Sequence, residues 1–197
     1  VMEPTPERLQ SCYNEGVRLS ALISDLERLE SEEDTGIVLD KGDVNLWKLA
    51  DTVMKSFETK FQEKNIEWAI TGEESVVVAD GGRIQQLLAN LLSNAVKYTD
   101  DGGRICVSVI DRQDYGVISV EDTGIGIPSE DLPHIFDRFY RVDKARSREA
   151  GGSGLGLSIV HDTVQAYGGS IAVGQNKPQG STFIVSFPRP TSEETGI

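Results

Sequence analysis

"DTGIGIP", Asp122 to Pro128, puts one carboxylate at the end of an apolar run, then two glycines and a proline. An Asp in this setting either turns the chain or faces a pocket, and strand parity separates the two. Side chains alternate between the faces of a strand. Ile118, Val120 and Asp122 therefore share one face, and Ser119 and Glu121 the other. The apolar set faces the core, so Asp122 points inward at the strand's end. Burying a carboxylate is costly unless something pairs with it. The pattern predicts a pocket in which a ligand or an ordered water supplies a hydrogen-bond donor. Gly124 and Gly126 let the backbone approach that ligand without a Cβ in the way.

Working outward, "RICVSVIDRQDYGVISVEDTG" reads as two strands joined by a polar turn. Before it, "LWKLADTVMKSFETKFQEK" reads as one amphipathic helix. "IEWAI" and "VVVAD" read as short strands around the turn "TGEES", and "GRIQQLLANLLSNAVKYT" as a second helix. After it come a short helix opened by Pro128 in "PSEDLPHIFDRFYR", a polar loop in "VDKARSREAGGS", a third long helix in "GLGLSIVHDTVQAYGG", and closing strands in "SIAVGQN" and "GSTFIVSFP". The antiparallel strand order with helices grouped between predicts an α+β sandwich over residues 43–190. The stretch 1–35 reads as one helix, with Leu9, Cys12, Gly16, Leu19, Ile23 and Leu26 in a coiled-coil-like 3-4 spacing that calls for partner helices. Residues 36–42 read as a linker, and 191–197 as a disordered tail.

Two further patterns carry chemistry. On the second helix, Asn90, Asn94 and Lys97 fall on one narrow face with Tyr98 at its edge, beside an apolar face of Leu87, Leu88, Leu91, Leu92 and Ala95. Such a stripe is either a solvated polar face or a site for a phosphate–metal group. No Asp or Glu lies along it. An Asn oxygen is a hard ligand suited to Mg²⁺, which borrows phosphate oxygens, and Lys97 can neutralise phosphate charge. In "GGSGLGLSIV", Gly151 to Val160, glycines lead straight into a helix. Unpaired N–H groups at the positive end of the helix dipole make a phosphate cradle. The stretch lacks the Gly-Lys-Ser/Thr of a P-loop and the βαβ setting of a dinucleotide fold.

"NLLSNAVKYT", "DTGIGIP", "IFDRFYR", "GGSGLGLSIV" and "GSTF" occur in this order and spacing in the catalytic ATP-binding domain of two-component sensor histidine kinases, which residues 43–190 closely resemble. The resemblance implies that family's fold, a mixed sheet packed on helices and preceded by a long helix. Residues 1–35 resemble, more loosely, the second helix of its dimerisation hairpin. It also implies roles. Asn94 would coordinate Mg²⁺ bridging the phosphates of ATP, with Asn90 in support. Lys97 would contact phosphate, and Tyr98 would line the nucleotide site. Asp122 would accept the adenine amino hydrogen, and Gly124, Gly126 and Ile127 would shape the adenine pocket. Gly152, Gly154, Leu155 and Gly156 would close a lid over the phosphates, anchored by Phe136 and Phe139. Thr182 would help hold a water-mediated adenine contact. Arg141 would reach the γ-phosphate, with Lys144 as helper.

The implied reaction transfers the γ-phosphoryl group of ATP to a His on a dimerisation domain, for relay to a response regulator's receiver domain, within a homodimeric parent. The implied setting is a cytoplasmic domain of a membrane-anchored protein. The family's acceptor motif, resembling H-E-x-R-T-P, is missing here. His134 and His161 lie inside the ATP-binding domain and read as ordinary helix residues. This absence and the start at Val1 suggest a fragment. ATPases of the same fold carry a Glu where Asn90 stands, and an amide is a poor general base. A nucleotide-gated binding module without phosphotransfer is the other alternative.

The bulk properties bound the same reading. With 19 basic and 32 acidic side chains, the net charge of −13 argues against a nucleic-acid or anionic-membrane surface. A polyphosphate ligand then requires local cations, and Lys97, Arg141, Lys144, Arg146 and Arg148 supply them. Cys12 and Cys106 have no metal-ligand spacing and read as free thiols of a reducing compartment. No apolar run approaches the roughly 18 residues that span a bilayer, and no signal peptide is visible.

Overall fold

The computed structural model describes residues 40–142 and 153–189. The expected leading helix, most of the linker, the loop residues 143–152 and the tail lie outside the described residues. In chain order the elements are β1 (Gly42–Asn45), α1 (Leu46–Ser56), α2 (Glu58–Glu63), β2 (Glu67–Gly72), β3 (Val76–Ala79), α3 (Gly81–Tyr98), β4 (Arg104–Asp111), β5 (Tyr115–Asp122), α4 (Gly156–Ala166), β6 (Ser170–Gln175) and β7 (Ser181–Pro188). Asn45 caps α1 by accepting from Lys48 N–H at 3.1 Å. Asp80 caps α3 by accepting from Gly82 and Arg83 N–H at 2.9 and 3.2 Å.

Five strands form one mixed sheet in the order β2-β4-β5-β7-β6. β2 lies parallel to β4, and the other neighbours are antiparallel. Alternation gives the sheet one apolar face. Val107 of β4, Ile118 and Val120 of β5 and Val185 of β7 are all buried, in one core with Leu87, Leu88, Leu91 and Leu92 of α3. The other face carries Ser108 and Ser119, whose hydroxyls meet at 2.7 Å. The α+β sandwich is therefore as expected.

Two local expectations are corrected, and the sheet order adds a detail. Residues 46–64 form two helices, because Phe57 breaks the path. The bend lets Phe57 pack against Phe61, and Phe61 stack on Trp68 with ring centroids 5.8 Å apart. The strands expected at 66–70 and 76–80 both form, at Glu67–Gly72 and Val76–Ala79, but in different sheets. β2 joins the main sheet, while β3 pairs with β1 in a two-stranded sheet. Residues 129–139 form successive turns rather than a short helix. Their bonds span three residues, from Asp131 N–H to Pro128 O, His134 N–H to Asp131 O and Asp137 N–H to His134 O. Pro133, lying among them, has no N–H and restricts the residue before it, which works against a regular helix. His134 is thus a turn residue.

Leu91 is 1% exposed and sits mid-helix beneath the polar stripe. Leu91→Ala should cost about 2–5 kcal/mol of stability by denaturant unfolding. A loss below about 1 kcal/mol would contradict a core centred on this helix.

Candidate functional site

Asp122 ends β5 and is only 5% exposed, as strand parity predicts. Its Oδ1 accepts from Gly124 N–H at 2.8 Å and from Ser181 N–H at 3.2 Å. Among the described residues nothing hydrogen-bonds its Oδ2. Burial pushes the carboxyl above the usual aspartate range, the two backbone bonds pull it back, and Glu121 adds to the upward push. Among the described residues no basic side chain compensates. The fold anchors one oxygen and leaves the other for an outside donor.

The loop after Asp122 is seated against the end of α3. Ile125 N–H donates to Tyr98 C=O at 3.1 Å. A Cβ on Gly124 would lie 2.4 Å from that same carbonyl oxygen, so only glycine fits. Gly126 takes φ +75°, and Ile127 beyond it packs against the core.

The polar stripe of α3 is half-buried at Asn90, Asn94 and Lys97, while Tyr98 is 41% exposed. Asn90 Nδ2 donates to Gly156 C=O at 3.3 Å, joining α3 to the start of α4. Asn94 has no hydrogen bond among the described residues, so its amide oxygen is available. Lys97 Nζ lies 5.1 Å from the Tyr98 ring centre. Burial, and then the charge of Arg141, push the Lys97 ammonium below its ordinary range. Burial pushes the Tyr98 hydroxyl up, against a smaller opposing effect of Arg141. Arg141 Nη2 is itself buried with no hydrogen-bond partner. Two cations without an acidic partner among the described residues leave a need that an anion would meet.

The N-terminus of α4 adds to that need. Leu155 precedes it without a side-chain cap, and no acidic residue stands in its first turn. With no side-chain cap among the described residues, its first N–H groups suit an anion. Leu155 is fully buried, so it supports the site by packing. Gly154 C=O accepts from Phe139 N–H at 3.0 Å. Phe136 packs on the core and against the His161 ring, whereas Phe139 is 59% exposed with φ +66°. Gly152 and Lys144 lie outside the described residues, as do Arg146 and Arg148. Among the described residues no group of three or more His, Cys, Asp or Glu is placed to hold a metal ion. A divalent cation here would need oxygens from its ligand.

The structure does not put Thr182 beside Asp122. Thr182 alternates with buried Ser181 and Phe183, pairs with exposed Glu121 on the outer face, and donates its hydroxyl to Asn176 Oδ1 at 2.6 Å. Ser181, 5% exposed, holds the inner position instead. Sequence reasoning missed Ser181, although parity from Phe183, Val185 and Phe187 assigns it to the core face. It also missed Gln175 and Asn176, which carry no motif and whose amide N–H groups donate mainly to backbone carbonyls.

The model of the family "Histidine kinase-, DNA gyrase B-, and HSP90-like ATPase" matches residues 79–191. The chain is 36% identical to sensor histidine kinase WalK of Bacillus subtilis over 192 residues, covering 96% of this chain and 31% of that protein. The chain thus spans about a third of the length of such curated relatives. Among solved structures it is similar to full-length ShkA in complex with AMPPNP, with 28% identity, a TM-score of 0.78, and coverage of 97% of this chain and 41% of that one. It is also similar to histidine kinase ThkA in complex with response regulator protein TrrA, with 29% identity, a TM-score of 0.73, and coverage of 94% and 53%.

The raised Asp122 pKa gives a pH prediction with a definite sign. A donor on Oδ2 favours the carboxylate, so binding should lower this pKa and release a proton. Carboxyl ¹³C titration should place Asp122 above ordinary aspartates in the free chain and lower with adenosine bound. Adenosine affinity should fall as pH drops through the free-chain value. An Asp122 that titrates identically with and without adenosine would contradict the assignment of Oδ2.

Proposed function

The chain belongs to the histidine kinase-, DNA gyrase B- and HSP90-like ATPase family, with sensor histidine kinases among its relatives, and from that premise we propose that it presents ATP·Mg²⁺ for transfer of the γ-phosphoryl group to a histidine. The carrying observation is Asp122, a buried acid with one oxygen anchored and the other unpaired. Adenine's exocyclic amino group supplies the missing donor, and Gly124, Gly126 and Ile127 line the base. The triphosphate runs from there along α3 to the N-terminus of α4, against Lys97 and Arg141, with Tyr98 flanking it. Gly152, Gly154, Gly156 and Lys144 close over the phosphates, and buried Leu155 supports that lid. Asn94 would hold Mg²⁺ with help from Asn90. When bound, the cation neutralises phosphate charge and fixes phosphate geometry.

Positioning and charge neutralisation then supply most of the catalysis. Asn90 supports this reading over hydrolysis, since its amide is held by Gly156 and cannot take a proton from water. The acceptor histidine lies on a dimerisation domain to which residues 1–35 contribute, in a homodimeric parent that passes the phosphoryl group to a receiver domain. The domain works in the cytoplasm on a membrane-anchored parent.

Asp122→Asn keeps the shape but replaces an anchored carboxylate. It should weaken Mg·ATP binding about 10-fold or more, as for loss of a charged hydrogen bond, read by calorimetry. Unchanged affinity would remove adenine recognition from this site. With γ-labelled ATP and a separately made acceptor-histidine domain from a relative, the chain should put acid-labile, base-stable label on that domain. Free phosphate alone would make it a hydrolase, and no turnover of bound ATP a binding module.

A further inference from the structure

Building on the adenine reading above, we infer that Asn176 and Gln175, at the end of β6, are positioning residues that hold the adenine-recognition loop in its binding shape, and that Thr182 acts through Asn176. The two amides grip the loop at both ends. Asn176 Nδ2 donates to Asp122 C=O at 2.9 Å and to Ser181 C=O at 3.0 Å. Gln175 Nε2 donates to Ile127 C=O at 2.8 Å. The Thr182 hydroxyl donates to Asn176 Oδ1 at 2.6 Å, which fixes the orientation of that amide. Reversed, the amide would set its oxygen against two carbonyl oxygens.

The contacts of Asn176 are the ones that matter for the acid. Its two carbonyl partners belong to Asp122 and Ser181, the residues joined by the Ser181 N–H bond to Asp122 Oδ1. Asn176 therefore sets the spacing that anchors one carboxylate oxygen and aims the other. The turn it closes lies very near the same backbone: a Cβ on Gly180, at φ +120°, would fall 2.0 Å from Asp122 C=O. Gln175 meanwhile fixes the far end of a loop that holds two glycines, the residues that lose most freedom on ordering. A loop already ordered in its bound shape binds more tightly than one ordered by the ligand. The bonds of these side chains to backbone all fall on the Asp122–Ile127 loop and its Ser181 neighbour, so their effect is confined to the adenine end.

That confinement supplies the test. Binding of Mg·ADP and of Mg·tripolyphosphate would be measured by competition on the full 197-residue chain, for wild type, Asn176→Asp, Gln175→Glu, Thr182→Val and Thr182→Ser. Asn176→Asp and Gln175→Glu keep shape but lose the donors. Each should weaken ADP about five- to tenfold, in the range of one or two hydrogen bonds, with tripolyphosphate within about twofold. Thr182→Val should weaken ADP by a smaller factor, and Thr182→Ser should restore it. Thr182→Val suits a β-strand, so it keeps the test open if the amide variants fail to fold. ADP affinity unchanged in every folded variant, or ADP and tripolyphosphate weakened together, would overturn the positioning role. Failure of wild type to bind ADP would instead overturn the proposed function beneath it.

Discussion

One carboxylate sets the terms for the rest of the site. Asp122 stands at the end of a central strand, buried and, among the described residues, without a counter-cation, with two backbone N–H groups on a single oxygen. Those bonds lower the cost of its charge but leave the acid half-satisfied. The surroundings follow from that compromise. Gly124 must be a glycine because the loop that donates to Asp122 also presses on the end of α3. Ser181 takes the inner face by strand parity, and its N–H is the second anchor. The sheet supplies rigid placement, and the loops supply donors.

The second constraint is electrostatic. A chain of net charge −13 repels polyanions at long range, but screening at physiological salt confines that field to about 8 Å. Within the site the local arrangement decides. Lys97 and Arg141 lie close enough to oppose each other's charge, and Arg141 keeps a buried nitrogen unpaired. The start of α4, which meets α3 at Asn90, has no side-chain cap among the described residues and no acid in its first turn. Like charges held together without a partner are unfavourable in the free protein, and a phosphate chain would relieve all three features at once.

What the sequence reveals depends on the distance over which each feature is decided. Asp122 and the stripe of α3 follow from local periodicity, which the packed core enforces, so both were readable. The split of β2 and β3 into different sheets depends on partners far along the chain, β4 for one and β1 for the other, which adjacency does not reveal. The turns at 129–139 and the break at Phe57 are local but arise from proline geometry and from where aromatic rings find room. Thr182 shows a finer limit: a motif named the region, but a one-residue parity decided which side chain faced the acid. Gln175 and Asn176 work through carbonyls of the backbone, for which a sequence has no symbol.

The most direct measurement is a crystal structure of the chain with Mg²⁺ and a nonhydrolysable ATP analogue. The account predicts the adenine amino nitrogen about 2.7–3.2 Å from Asp122 Oδ2, with Oδ1 still held by Gly124 and Ser181. An adenine bound elsewhere, with Oδ2 bonded to the protein's own groups, would contradict it.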